Sequence, residues 1–459
     1  MHVRSLLLAA LGGTFLHSPA TAQEAEGPGT GYTRTYVIQA DGAWLSPGRM
    51  VQPAFIQISD GRIDWIATSD QRRESGGMFG GGSKPRLLEV SGTLSAGIVD
   101  AWTTFSPQDY ASDRKQEAAR AVADSLPVQV PLADASLVRQ VRGAREAGVA
   151  AVYLSGGRQG LRRGVGTAAE FTALDLPLAG GRPTLDFAVG TAAASGPSAS
   201  YQAEELRNVF QEALDWRDSW DEYDEKMEKY QEDLTKYEEK FEKYLEEKKA
   251  AEEEAAQAGD QDGKKKDEGP KAPKRPKRPK APTSSQARDD VLEALDGARQ
   301  VRVEAQRLAD IRELLEMKKE FGFEMVLLGG YDADRLAEEL AAAEVAVVLP
   351  VMPDHHGPEH QRRHLSDRFS RLHEAGVEVA LASGGVEGAE LLLLARAGEL
   401  VAAGIDQDAV WASLTTVPAR ILGLDAYGAL GTGRSATMIL FGGSSPFDAS
   451  APFKAHKPR

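Results

Sequence analysis

The 459-residue chain predicts an α/β architecture: parallel strands closed as a barrel or doubly wound, small β elements at both ends, and one long helical insertion. From Gly97 to about Gly423, short apolar strands alternate with Ala-, Glu- and Arg-rich helical stretches, the signature of a parallel sheet. Before and after that region the chain falls into short alternating segments broken by turn residues. Inside it, residues 209–244 repeat their apolar side chains at spacings of four and three, a helical period.

The amino terminus reads as a leader. Met1 to Ala22 has a basic start (His2, Arg4), an apolar run from Leu6 to Leu16, and Ala20-Thr21-Ala22 as a cleavage site, so residues 1–22 are expected to be a secretory signal peptide. The apolar run is about 11 residues, where a membrane-spanning helix needs about 20. No later segment is long enough either, so no transmembrane span is expected. The implied location is the periplasm or the extracellular space. Cysteine is absent, which excludes disulfides and thiolate chemistry.

Residues 31–96 form the first β region, with strands around Tyr36 to Ile38, Phe55 to Ile58 and Ile63 to Ile66, an Asp60-Gly61 turn, and a glycine-rich stretch from Gly76 to Ser83. Residues 97–426 form the α/β region, with strands at Val149 to Leu154, Val301 to Val303, Met325 to Leu328, Val345 to Leu349 and Val377 to Leu381. Residues 427–459 return to short strands.

The insertion spans residues 203–285. Val209, Ala213, Trp216, Trp220, Tyr223, Met227, Tyr230, Leu234, Tyr237, Phe241 and Tyr244 form an a/d seam over five heptads. A helix over 203–257 would be roughly 80 Å long, so a second helix, from this chain or another copy, is expected to cover the seam of a coiled-coil arm. The arm is therefore the expected route to a protein partner or a homo-oligomer. The net charge of −15 is concentrated here: residues 204–256 carry 20 acidic and 9 basic side chains, a local −11 that disfavours nucleic acid. Lys264 to Lys280 then carries nine basic and two acidic residues in a Lys- and Pro-rich tract, expected to be a disordered, solvated loop.

Several motifs resemble the amidohydrolase superfamily, particularly its imidazolonepropionase-like and secreted bacterial members. Asp60-Gly61-Arg62-Ile63 and Ser95-Ala96-Gly97-Ile98-Val99-Asp100-Ala101 are similar to the family's first motifs. Val417-Pro418-Ala419-Arg420-Ile421-Leu422-Gly423-Leu424, followed by Gly428 to Thr437, is similar to its closing pair. The resemblance implies a TIM-like (β/α)8 barrel with a β-sandwich composed from both chain ends, and a metal-bound water as nucleophile. The metal positions implied by the resemblance are all altered: Trp102 and Thr104 replace the first-strand histidines, Glu304 and Gln306 those of the fifth strand, Gly329 that of the sixth, and Gly384 the aspartate. Only Glu304 keeps a carboxylate, and hydrolytic zinc sites use three protein ligands. Asp100 is expected as a strand-end hydrogen-bond acceptor.

The expectation is an exported, catalytically inactive protein acting in binding or assembly, with no cofactor and with room for a small ligand in the barrel. The alternative is a metal-dependent amidohydrolase acting on cyclic amides or dipeptides, with zinc relocated to His355, His356, His360 and His364. Ser155-Gly156-Gly157 and Leu328-Gly329-Gly330 read as tight strand-end turns, with backbone anion cradles as the alternative. No nucleophile elbow, Walker loop or dinucleotide fingerprint occurs in the required context.

Overall fold

A computed structural model describes residues 14–16, 35–73, 84–103, 129–131, 135–155, 160–170, 175–177, 179–190, 199–257, 271–352, 364–386 and 388–448. The chain divides into two compact units, Met1–Arg207 with Glu293–Arg459, and Asn208–Leu292. Most of the expected leader lies outside the described residues; within it, Thr14–Leu16 form a strand antiparallel to Met438–Phe441.

The first unit holds an eight-stranded sheet: β1 (Ile98–Asp100), β2 (Val149–Leu154), β3 (Arg162–Glu170), β4 (Thr184–Ala188), β5 (Gln300–Ala305), β6 (Met325–Gly329), β7 (Ala346–Pro350) and β8 (Val379–Ala382), hydrogen-bonded in that order. β4 to β8 are parallel, as their Val- and Leu-rich, two-sided burial requires. Between β8 and β1 the gap is bridged by Asp100 Oδ1, which accepts from Ser383 N at 3.1 Å, and by Gly384 N donating to Trp102 O at 2.9 Å. The sheet is thereby nearly closed into an α/β barrel of the TIM type.

One strand runs backwards. β3 is antiparallel to both β2 and β4, pairing Leu154 with Thr167 and Arg162 with Phe187. In a parallel strand the first residues lie at the bottom of the barrel; here the reversal brings Arg162 and Arg163 to the C-terminal mouth. Gly166 makes room for the aromatic neighbour, because a Cβ there would stand 1.8 Å from the Tyr153 hydroxyl.

Two further sheets form the expected β-sandwich. One contains Arg62–Ala67, Ala54–Ser59, Thr35–Ala40 and Arg86–Glu89; the other joins Thr93–Ala96 and Gly42–Ser46 to Met438–Phe441 from the far end of the chain. Ile38, Ile56, Ile58 and Ile63 of the first face Leu45, Leu94, Met438 and Leu440 of the second in one apolar core. The sandwich is composite because its second sheet is incomplete until the carboxy-terminal strand arrives.

The second unit departs from expectation. The arm helix, Ala199–Gln257, has 59 residues and a length of about 90 Å. Beyond Trp216, no second helix follows its seam among the described residues. Instead Trp216 Nε1 donates to Thr283 O at 3.0 Å, so the returning chain runs antiparallel to the helix before the short helix Gln286–Leu295. In residues 271–282 only Pro273, Pro276, Pro279 and Pro282 are half-buried, and all the others are exposed. That period of three is the period of a polyproline II helix, which aligns every third residue along one edge. The seam residues from Trp220 to Tyr244 are half-buried too, and adjacent rings meet at 5.6 to 6.1 Å. Half-burial at every third residue of the tract and along the seam is what two faces packed together would show, so a proline edge, and not a second helix, is the candidate cover of the seam among the described residues. Residues 258–270 lie outside the described residues.

Candidate functional site

The mouth of the barrel is where catalytic groups sit in this architecture, so what the strand ends present there is decisive. β5 places Arg302 and Glu304 on its inward face, two residues apart. Glu304 Oε2 accepts from Arg163 Nη1 at 2.5 Å, with side-chain exposures of only 15% and 9%. Gln306 Nε2 lies 3.5 Å from Glu304 Oε1, and Gln306 Oε1 accepts from Tyr331 N at 3.3 Å. The one remaining carboxylate at a metal position is thus an ion-pair partner in a dry setting.

Below it, Arg302 is fully buried with its guanidinium carbon 3.7 Å from the Tyr153 ring centroid, a cation–π contact. Its Nη2 donates to Ala101 O, while Nε and Nη1 have no partner among the described residues. Asp186, its register partner on β4, accepts from the Tyr153 hydroxyl at 2.5 and 2.7 Å and from Ser155 Oγ at 2.9 Å. Burial and the Asp186 charge together hold the Tyr153 phenol well above its ordinary range, so it stays a donor.

The altered positions are filled in a consistent way. Trp102 is buried in the apolar cluster with Ala151, Tyr153 and Ala382, and Thr104 lies outside the described residues. Gly329 adopts φ +86°, and a Cβ on it would stand 2.3 Å from Gln306 Nε2. Its carbonyl accepts from Arg368 Nη2 at 3.0 Å, and Gly330 O lies 3.2 Å from the same atom. Gly330 N donates to Ala305 O, so this glycine turn is a tight strand end and not an anion cradle. Gly384 adopts φ +73°, and a Cβ there would stand 2.3 Å from Pro350 Cβ. The residues present do not fit a hydrolytic metal: indole, carboxamide and two glycines surround a carboxylate already bound to arginine. Among the described residues, no three His, Cys, Asp or Glu side chains converge to hold one.

His355, His356 and His360 lie outside the described residues, and His364 is exposed at the start of the helix Leu365–Glu374. Arg163 and Arg368 are what the sequence reading missed. The signal for the first was a carboxylate at Glu304 with no expected cation to neutralise it.

Asp100 takes the structural place expected of it. Its Oδ1 accepts from Trp102 N and Ser383 N, both at 3.1 Å, but complete burial outweighs those bonds and raises its pKa from 3.8 to about 7. The folded chain therefore keeps a proton that the unfolded chain releases between pH about 4 and 7, so stability falls as pH rises through that window. Asp100→Asn, which mimics the protonated acid, should flatten that fall in denaturation midpoints measured from pH 5 to 8; superimposable profiles for both proteins would contradict the assignment. Restoring ligands should likewise fail. Gly384→Asp, and equally Gly329→His, should lose about 2–5 kcal/mol of stability through left-handed strain and overpacking, and gain no zinc. A stable variant that binds zinc would show that the mouth can still open.

No family model matches the chain, and no curated protein does. Among solved structures, an amidohydrolase from Thermotoga maritima MSB8 is 16% identical with a TM-score of 0.60, the match covering 90% of this chain and 95% of that one. The A. niger ochratoxinase is 14% identical, with a TM-score of 0.44 and 91% of each chain covered. A beta-aspartyl dipeptidase from Fervidobacterium islandicum AW-1 is 11% identical, with a TM-score of 0.42 and coverages of 88% and 92%. Agreement with the first over nearly its whole length, together with the barrel and the composite sandwich described above, shows that this chain shares the fold of that amidohydrolase.

Proposed function

We propose that the chain is an exported, non-catalytic binding protein that retains the barrel as a scaffold and has given up hydrolysis. The observation that carries the reading is the Arg163–Glu304 pair, which places a guanidinium where a divalent cation would be needed. A metal ion would have to displace Arg163 from this largely buried pair, and breaking such a pair costs about 3–5 kcal/mol before any coordination is gained. Supporting it, the turns at Gly329 and Gly384 leave no space for ligating side chains. A small ligand entering the barrel would meet the unpartnered Nε–H and Nη1–H of Arg302, donors suited to a carboxylate or carbonyl oxygen.

Metal analysis of the purified protein tests the loss of chemistry. The expected result is substoichiometric zinc, with a melting temperature unmoved by chelator and unchanged by added zinc. Tightly bound zinc, removed together with amide hydrolysis by Glu304→Gln, would overturn the proposal. Export is tested separately by sequencing the amino terminus of the protein recovered from a bacterial periplasm: the reading expects Gln23 as the first residue, and an intact Met1 would count against it.

A further inference from the structure

The proline tract has three edges, and two of them are not used by the seam. With three residues per turn, Lys271, Lys274, Lys277 and Lys280 share one edge, and Arg275 and Arg278 share another. All six are exposed. Lys274, Arg275, Lys277, Arg278 and Lys280 form no ion pair or hydrogen bond among the described residues. In a polyproline II rod the lysines recur at intervals of about 9 Å along a straight edge.

The back of the arm helix carries the complementary pattern. Taking the seam as heptad positions a and d, the f positions opposite it are Asp218, Glu225, Glu232, Glu239 and Glu246. Each is exposed and acidic. Of these, only Glu232 has an ion-pair partner among the described residues, Lys236 at a long 3.8 Å. Seven helical residues advance about 10.5 Å, so the acidic ridge and the lysine edge have nearly the same repeat. From Glu225 to Glu246 the ridge extends about 32 Å. The rod from Lys271 to Lys280 extends about 28 Å. Within one copy the two ladders lie on opposite sides of a helix about 10 Å thick, so they cannot meet.

We propose that the arms associate with one another, the lysine edge of one copy docking on the acidic ridge of a second copy. This extends the assembly side of the reading above and is independent of its metal test. An anionic membrane is the less favoured occupant: the arm helix presents 20 acidic side chains over 204–256, and the chain carries −15 overall, both of which oppose approach to a negative surface. Because donor and acceptor surfaces differ and lie on opposite faces, the contact is heterologous, and it builds rings or open chains in preference to a closed dimer.

Sedimentation velocity on the full chain is the test, with helicity checked by circular dichroism. Wild type should show concentration-dependent association at about 0.1 M salt and lose it at about 1 M, where the screening length shrinks from about 10 Å to about 3 Å. A rod variant (Lys271→Glu, Lys274→Glu, Lys277→Glu, Lys280→Glu) and a ridge variant (Glu225→Lys, Glu232→Lys, Glu239→Lys, Glu246→Lys) should each dissociate at least tenfold more readily when alone. Mixed one to one, they should associate again, since each reversed ladder then meets its complement. Three results would each overturn the proposal: a wild type that stays monomeric at the highest concentration, association indifferent to salt and charge reversal, or loss in both variants without recovery on mixing. So would a monomeric wild type that binds phosphatidylglycerol vesicles, but not phosphatidylcholine ones, through the lysine edge.

Discussion

A half-buried carboxylate at the mouth of a barrel calls for a neutralising partner, and here the cation is the Arg163 guanidinium, 2.5 Å from Glu304. Everything distinctive about the mouth is linked to that pair. Arg163 reaches it because β3 runs against its neighbours, and β3 can lie there because Gly166 leaves room for Tyr153. Tyr153 in turn supports Arg302 with its ring and Asp186 with its hydroxyl. The reversed strand brings a cation of the chain's own to the carboxylate at this mouth.

The same logic explains the glycines. Gly329 and Gly384 are not merely shortened ligands, since each sits in a left-handed conformation that ordinary residues rarely adopt, and each is pressed against Gln306 or Pro350. Arg368 then binds the buried carbonyls of Gly329 and Gly330, at and just past the end of β6. The mouth is a packed and hydrogen-bonded surface in its own right, stabilised by interactions that a metal-binding barrel would have to break.

Much of this was legible from residues. Val- and Leu-rich runs such as Met325 to Leu328 and Val345 to Leu349 announce buried parallel strands, and the motifs at both ends announce the composite sandwich. The positions of Glu304, Gln306, Gly329 and Gly384 were pointed to by the resemblance to the amidohydrolase motifs. The direction of β3 could not be inferred, because Arg162 to Glu170 has the same alternation read either way, and strand polarity is set by the turns that precede and follow it. The cover of the arm was hidden for a different reason. A heptad seam suggests another helix, whereas its partner here repeats every three residues in a tract whose composition suggests disorder.

Anomalous diffraction at the zinc edge, from crystals of the protein grown with zinc, addresses the central claim most directly. The account predicts no peak within coordination distance of the Glu304 carboxylate and an intact Arg163 contact in the same density. A zinc peak about 2.0–2.2 Å from a Glu304 oxygen, with Arg163 turned away, would contradict it.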